Sequence, residues 1–149
     1  MREAVVERLN GLILLDRDAV RAYERAIAEC ERDDVRSTLA ELRSDLRWHL
    51  RELEARVLSY GGEAPEEPEE PDFFIEGVSE PPIQGDLGAL VAARACAELI
   101  KRAYQTALVM EPPDDVKAMI GRHYVDSLRH LARIREALNR FLWEVAPAA

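Results

Sequence analysis

The chain repeats itself at a shift of 81 residues, without a gap. Arg21-Ala22-Tyr23 falls on Arg102-Ala103-Tyr104, and Asp33-Asp34-Val35 falls on Asp114-Asp115-Val116. Asp45-x-x-x-His49-Leu50 falls on Asp126-x-x-x-His130-Leu131, Leu39 meets Ile120, and Leu53 meets Ile134. Two unrelated amphipathic helices share apolar positions readily, but not Tyr, paired Asp and His in one register. The pattern therefore reads as a duplicated unit.

Each unit is a helical hairpin. Residues 2–31 space Val5, Leu9, Leu12, Ile13, Val20, Tyr23, Ile27 and Cys30 with helical period, among Arg, Glu and Ala that favour helix. Asp33 and Asp34 are expected to cap a second helix over 34–60, with a stripe from Leu39 through Leu42, Leu46, Leu50 and Leu53 to Val57. Gly61-Gly62 would end it. The second unit would hold one helix over 86–110, N-capped by Asp86, and another over 113–144 after Pro112-Pro113.

Neither hairpin can hide its apolar stripe alone, so two facing hairpins make a four-helix bundle. The expected class is all-α and a single domain over 1–149, with hairpins at 1–60 and 86–149. The joining segment, 61–85, is acidic and rich in Pro and Gly. At ~3.3 Å per residue it can run the full length of helices roughly 40 Å long. That favours a crossover which starts the second hairpin at the far end. Phe73, Phe74 and Ile75 would pin it to the bundle. In a weaker reading, the acidic stretch 64–70 is itself a partner-binding element.

A net charge of −9 argues against nucleic acid and anionic membranes, which select for Lys/Arg stripes. No run approaches the ~20 apolar residues of a membrane span and no signal peptide is visible, so a cytoplasmic protein is expected. Cys30 and Cys96 lack Cys-x-x-Cys spacing and read as small core residues, with a disulfide left open. Trp48 and Trp143 sit among charged residues as packing or dimer-contact positions, which leaves room for a homodimer. Glu52 and Glu54 read as a solvated face. There is no Gly-rich phosphate loop and no nucleophile–His spacing.

Residues equally far from a turn lie level in antiparallel helices. By that count Asp16, His49, Glu98 and His130 share the middle of the bundle. Asp45 and Asp126 lie one turn away on the same helix sides. His123, Asp126 and His130, at i, i+3 and i+7, share a face that suits one zinc or iron ion. Lys101 and Arg102 are placed to compete for Asp126. The competing reading keeps the histidines neutral and hydrogen-bonded, with Tyr23 and Tyr104 bonding to inward polar groups.

The segments LNGLILLDRDAVRAYERAI, DLRWHLREL, GGEAPEEP, FFIEG and HYVDSLRHLARI resemble a bacterial ferritin-like family of largely uncharacterised function. The resemblance implies two irons held by one carboxylate from each hairpin's first helix and a Glu-x-x-His from its second. His49 and His130 match the motif histidines, Asp16 stands for the first-helix carboxylate, and Glu98 is its nearest counterpart. The motif glutamates would be positions 46 and 127, which are Leu46 and Ser127. Bridging glutamates carry much of the charge that holds two cations, so the di-metal set is eroded. The leading expectation is a structural or stress-associated bundle without catalytic activity. The alternative is a metal-binding or iron-handling protein on an Asp/His set, with di-iron oxidase chemistry as the enzymatic version.

Overall fold

The computed structural model describes residues 1–67 and 84–145. They form α1 (Arg2–Glu29), α2 (Asp33–Ser59), α3 (Gly85–Val109) and α4 (Asp114–Val145), with no strand among them. Phe73, Phe74, Ile75 and the acidic run beyond Glu67 lie outside the described residues.

The chain path follows from which ends touch. Asp86, at the start of α3, accepts hydrogen bonds from the backbone N–H groups of Glu31 (3.1 Å) and Arg32 (3.3 Å) in the α1–α2 turn. Arg32 also pairs with Glu144 near the end of α4. At the opposite end, Tyr60 donates its hydroxyl proton to Asp115 at 2.7 Å, joining the end of α2 to the start of α4. The connection from α2 to α3 therefore crosses the bundle from end to end. α1 lies between α2 and α3, and α4 completes the ring against α3 and α2.

The two non-hairpin contacts differ in spacing. α1 and α3 run close together, while α2 and α4 stand further apart. Side-chain size explains this. The buried positions of α1 and α3 include Ala19, Ala22, Ala26, Ala89, Ala93, Cys96 and Ala97, which let backbones approach. Those of α2 and α4 include the larger Leu39, Leu42, Leu46, Leu53, Met119, Ile120 and Ile134. The wider α2–α4 seam is where polar side chains enter.

Helix ends depart from expectation in one respect. Asp33 and Asp34 occupy the first turn of α2 rather than its N-cap, which is Arg32 with no side-chain capping bond. Asp86 likewise lies inside α3, after Gln84 as N-cap. Both first turns still gain from acid near the positive end of the helix dipole. Asp86 is engaged instead by the backbone donors of the α1–α2 turn. Gly61 ends α2 at φ 79°, with its N–H on Leu58 O and that of Gly62 on Val57 O, both at 3.0 Å.

Arg17 anchors the start of the crossover. Only 9% exposed, it donates to Pro65 O at 2.7 Å and to Glu54 Oε1 at 3.3 Å. Asn10 donates to Glu63 O at 3.1 Å, so residues 63–65 climb along α1. Arg17→Ala leaves the Pro65 carbonyl and Glu54 without their donor. The expected loss is about 2 kcal/mol in urea denaturation, with faster proteolysis after Gly62. Unchanged stability and cleavage would show that Arg17 does not hold the strap.

Candidate functional site

The seam between α2 and α4 contains three nearly parallel imidazoles. His49 stacks on His123 with ring centres 4.0 Å apart, and His130 lies 6.3 Å from His49 on the other side. All three are buried, at 2–4% exposure. Helical spacing delivers them: Asp45, His49 and Glu52 follow one face of α2, while His123, Asp126 and His130 follow one face of α4.

The carboxylates pair across the seam rather than along their own helices. His49 Nε2 donates to Asp126 Oδ2 at 2.8 Å, and His130 Nε2 donates to Asp45 Oδ2 at 2.9 Å. A carboxylate only accepts, which fixes the proton on Nε2 in both rings. The two Asp-x-x-x-His segments thus exchange partners. Burial works against charge on Asp126, but the bond from His49 and the Arg129 guanidinium at 2.7 Å outweigh it and hold its carboxyl below the usual range.

A second chain takes one residue from each helix: Asp16 (α1), Tyr104 (α3), His123 (α4) and Glu52 (α2). Tyr104 donates to Asp16 Oδ2 at 2.7 Å. His123 Nδ1 lies a long 3.4 Å from the Tyr104 hydroxyl, and its Nε2 lies 3.3 Å from Glu52 Oε1. Arg122 bonds the other Glu52 oxygen at 2.8 Å. Burial pushes the Asp16 carboxyl up to about 7, only partly opposed by the Tyr104 bond. When Asp16 is protonated it can donate to Tyr104, which frees the phenol proton for His123 Nδ1 and leaves Nε2–H for Glu52. Every donor in the chain then has an acceptor.

Burial, reinforced by the neighbouring His49, lowers His123 to about 4 against the pull of Glu52. His130 is lowered by burial as well, with Asp45 opposing. Below the ordinary value of 6.5 the unfolded chain binds a proton that folded His123 refuses. Stability must therefore fall as pH drops from about 6.5 to about 4, by an amount on the order of 3 kcal/mol. His123→Leu, which copies Leu42 at the matching repeat position, is expected to remove that part of the slope in denaturation curves. A slope that persists unchanged would place the acid sensitivity elsewhere.

The other residues singled out from sequence fall differently. Glu98 is not inward: it pairs with Arg135 at 3.3 Å and Arg102 at 3.8 Å on the outside of the bundle. Ala97 takes the core-facing position, 2% exposed, and the next residue turns about 100° away. Arg102 is thereby drawn to Glu98, and Asp126 pairs with Arg129 and His49 instead. Leu46 is buried at 1%, and Ser127 turns its hydroxyl onto Tyr124 O at 2.6 Å. Ala97 matches Asp16 at the 81-residue shift and supplies no acceptor. Tyr104 finds Asp16, whereas the hydroxyl of its match Tyr23 and Asp16 Oδ1 are buried without a hydrogen-bond partner among the described residues.

Glu52 is a correction to its reading as solvated surface; its position three residues after His49 is the signal that could have found it. His123, Asp126 and His130 share a face, yet each turns to a different partner. Among the described residues no three His, Cys, Asp or Glu side chains converge as a cation site. Cys30 and Cys96 are free and buried, and burial pushes both thiols up to about 12, so neither is poised as a nucleophile. Trp48 and Trp143 are exposed at 59% and 80%. No helix among the described residues is long and apolar enough to cross a membrane.

Comparison with known proteins agrees with this architecture. Residues 4–69 match a family described as a domain of unknown function (DUF2383). No curated protein matches the sequence. A conserved hypothetical protein from Mycobacterium tuberculosis is similar in structure, with a TM-score of 0.80 at 11% identity, covering 100% of this chain and 97% of that one. So is a two-domain protein from Anabaena variabilis containing DJ-1/ThiJ/PfpI-like and ferritin-like domains, with a TM-score of 0.78 at 15% identity. All of this chain is covered there, and it spans 40% of that protein's length. The chain is an all-α four-helix bundle with the fold of a ferritin-like domain, and its residues 4–69 match this domain of unknown function.

Proposed function

We propose that the protein is a non-catalytic, structural ferritin-like bundle in which an Asp/His network replaces the di-metal centre. One observation carries the reading: both motif histidines use Nε2 on carboxylates of the opposite helix, with Leu46 and Ser127 at the bridging positions. The side chains do not fit a di-metal centre. Glu98 faces outward, Ala97 offers no ligand, and Ser127 bonds its own helix. Duplication of one hairpin accounts for the exchange of partners between the two Asp-x-x-x-His segments, and the eroded positions differ between the two copies.

A second reading, a cation on an Asp/His set, is favoured by one atom, the unpartnered Asp16 Oδ1. Elemental analysis of protein purified without added metal separates the two. Iron and zinc well below one equivalent are expected. A stoichiometric ion that is lost in His49→Ala or His130→Ala, with the fold intact, would replace the structural reading with the metal-binding one.

A further inference from the structure

The end of the bundle where α1 begins and α3 turns into α4 contains a cavity of about 540 Å³. Its floor is the last core layer, Leu9, Val116 and Ile120, each at most 1% exposed. Val5, Met110 and the Pro112-Pro113 turn make apolar walls. The polar lining is mainly cationic. Arg2 lies over the Tyr60 ring at 5.8 Å, and Arg8 forms no ion pair among the described residues. Most arginines of this chain meet a carboxylate, and its net charge is −9. The acid in the lining, Glu111, is exposed on the turn. A second groove of about 420 Å³ shares Arg8 and Met110 and continues between α1 and α3 past Leu12 and Ala107.

We propose that this end of the bundle binds an amphipathic anion, a carboxylate on an unbranched hydrocarbon chain of medium length. The volume lies in the range of small-molecule sites. The chain buries its methylenes on Leu9, Val116 and Ile120, and each buried CH₂ adds to the affinity. The carboxylate stays at the mouth with Arg8 and Arg2, where guanidinium groups suit it in charge and in planar shape. A phosphodiester polymer would leave the apolar floor uncovered, and an uncharged alkane would leave both arginines unanswered.

The test is calorimetric titration of the full chain with decanoate below its micelle concentration, with 1-decanol as the uncharged counterpart. Saturable one-to-one binding of decanoate is expected, and 1-decanol should bind at least about tenfold more weakly. Arg8→Glu should weaken decanoate at least about tenfold by reversing the charge at the mouth. Ala4→Trp should do the same by filling the cavity from an exposed lining position. Both positions are solvent-accessible, and thermal unfolding checks that the variants fold. No saturable binding, or equal affinity in wild type and both variants, would overturn the proposal. So would a wild-type dimer that Ala4→Trp dissociates, because a second copy would then occupy the cavity.

Discussion

Asp16→Asn should gain stability relative to wild type as pH rises, from a net loss at about pH 4 to a net gain at about pH 8. Asp16 is fully buried, and burial raises its carboxyl from 3.8 to about 7. In the unfolded chain it ionises near its ordinary value. Between those two values the folded state holds a proton that the unfolded state has released, so stability falls as pH rises. Above about 7 the full penalty is present, on the order of 4 kcal/mol as an upper bound. Asparagine keeps an acceptor for the Tyr104 hydroxyl and cannot ionise. Its amide N–H₂ takes the place of the unpartnered Oδ1 and carries a constant cost of about 1–3 kcal/mol. The informative quantity is thus the pH dependence of the difference between variant and wild type. In urea denaturation that difference should grow in favour of the variant by roughly 4 kcal/mol from about pH 4 to about pH 8. A difference independent of pH would mean that Asp16 is ionised at no unusual cost.

Leu46→Glu restores the carboxylate that a Glu-x-x-His motif would have at that position, and it is expected to damage the fold. Leu46 is 1% exposed in the α2 stripe. The substitution loses about 2 kcal/mol of apolar burial and places a carboxyl where the neighbours are hydrocarbon. A total loss of more than about 3 kcal/mol is expected at neutral pH. Because burial raises the new carboxyl, the loss should shrink as pH falls and the group is protonated. Added zinc or ferrous iron should not restore stability, since Glu98 and Ser127 remain turned away. An ion that binds only the folded form at a hundred times its Kd would add about 2.7 kcal/mol. A rescue of that size would show that a single carboxylate separates this seam from a working cation site.

Much of the fold was legible because helical period is a backbone property. The Leu39–Val57 stripe, the matched Asp-x-x-x-His segments and the Gly61-Gly62 stop each follow from spacing or from a φ that glycine tolerates. The length of 61–85 also indicated the end-to-end crossover. Levels along a helix give height but not azimuth, and that is where Glu98 was misplaced. It is at the right height, one residue past the core-facing Ala97. Partner choice was hidden for a related reason. Asp45 and Asp126 lie on the histidines' own helices, but the open α2–α4 seam brings each closer to the ring opposite. Asp33, Asp34 and Asp86 look like caps from local sequence, and the structure gives Asp86 to the α1–α2 turn. Arg17 was missed because nothing in the spacing of α1 says that a strap will pass over it.

Ring-nitrogen NMR of the three histidines, on protein isolated without added metal and held at about pH 8, tests the network most directly. His49 and His130 should each show a protonated Nε2. Asp126→Asn should move the His49 signal and Asp45→Asn the His130 signal, each across the seam. Nε2 signals without protons that shift together on adding a chelator would mean that the two rings ligate an ion, contradicting the Asp/His network.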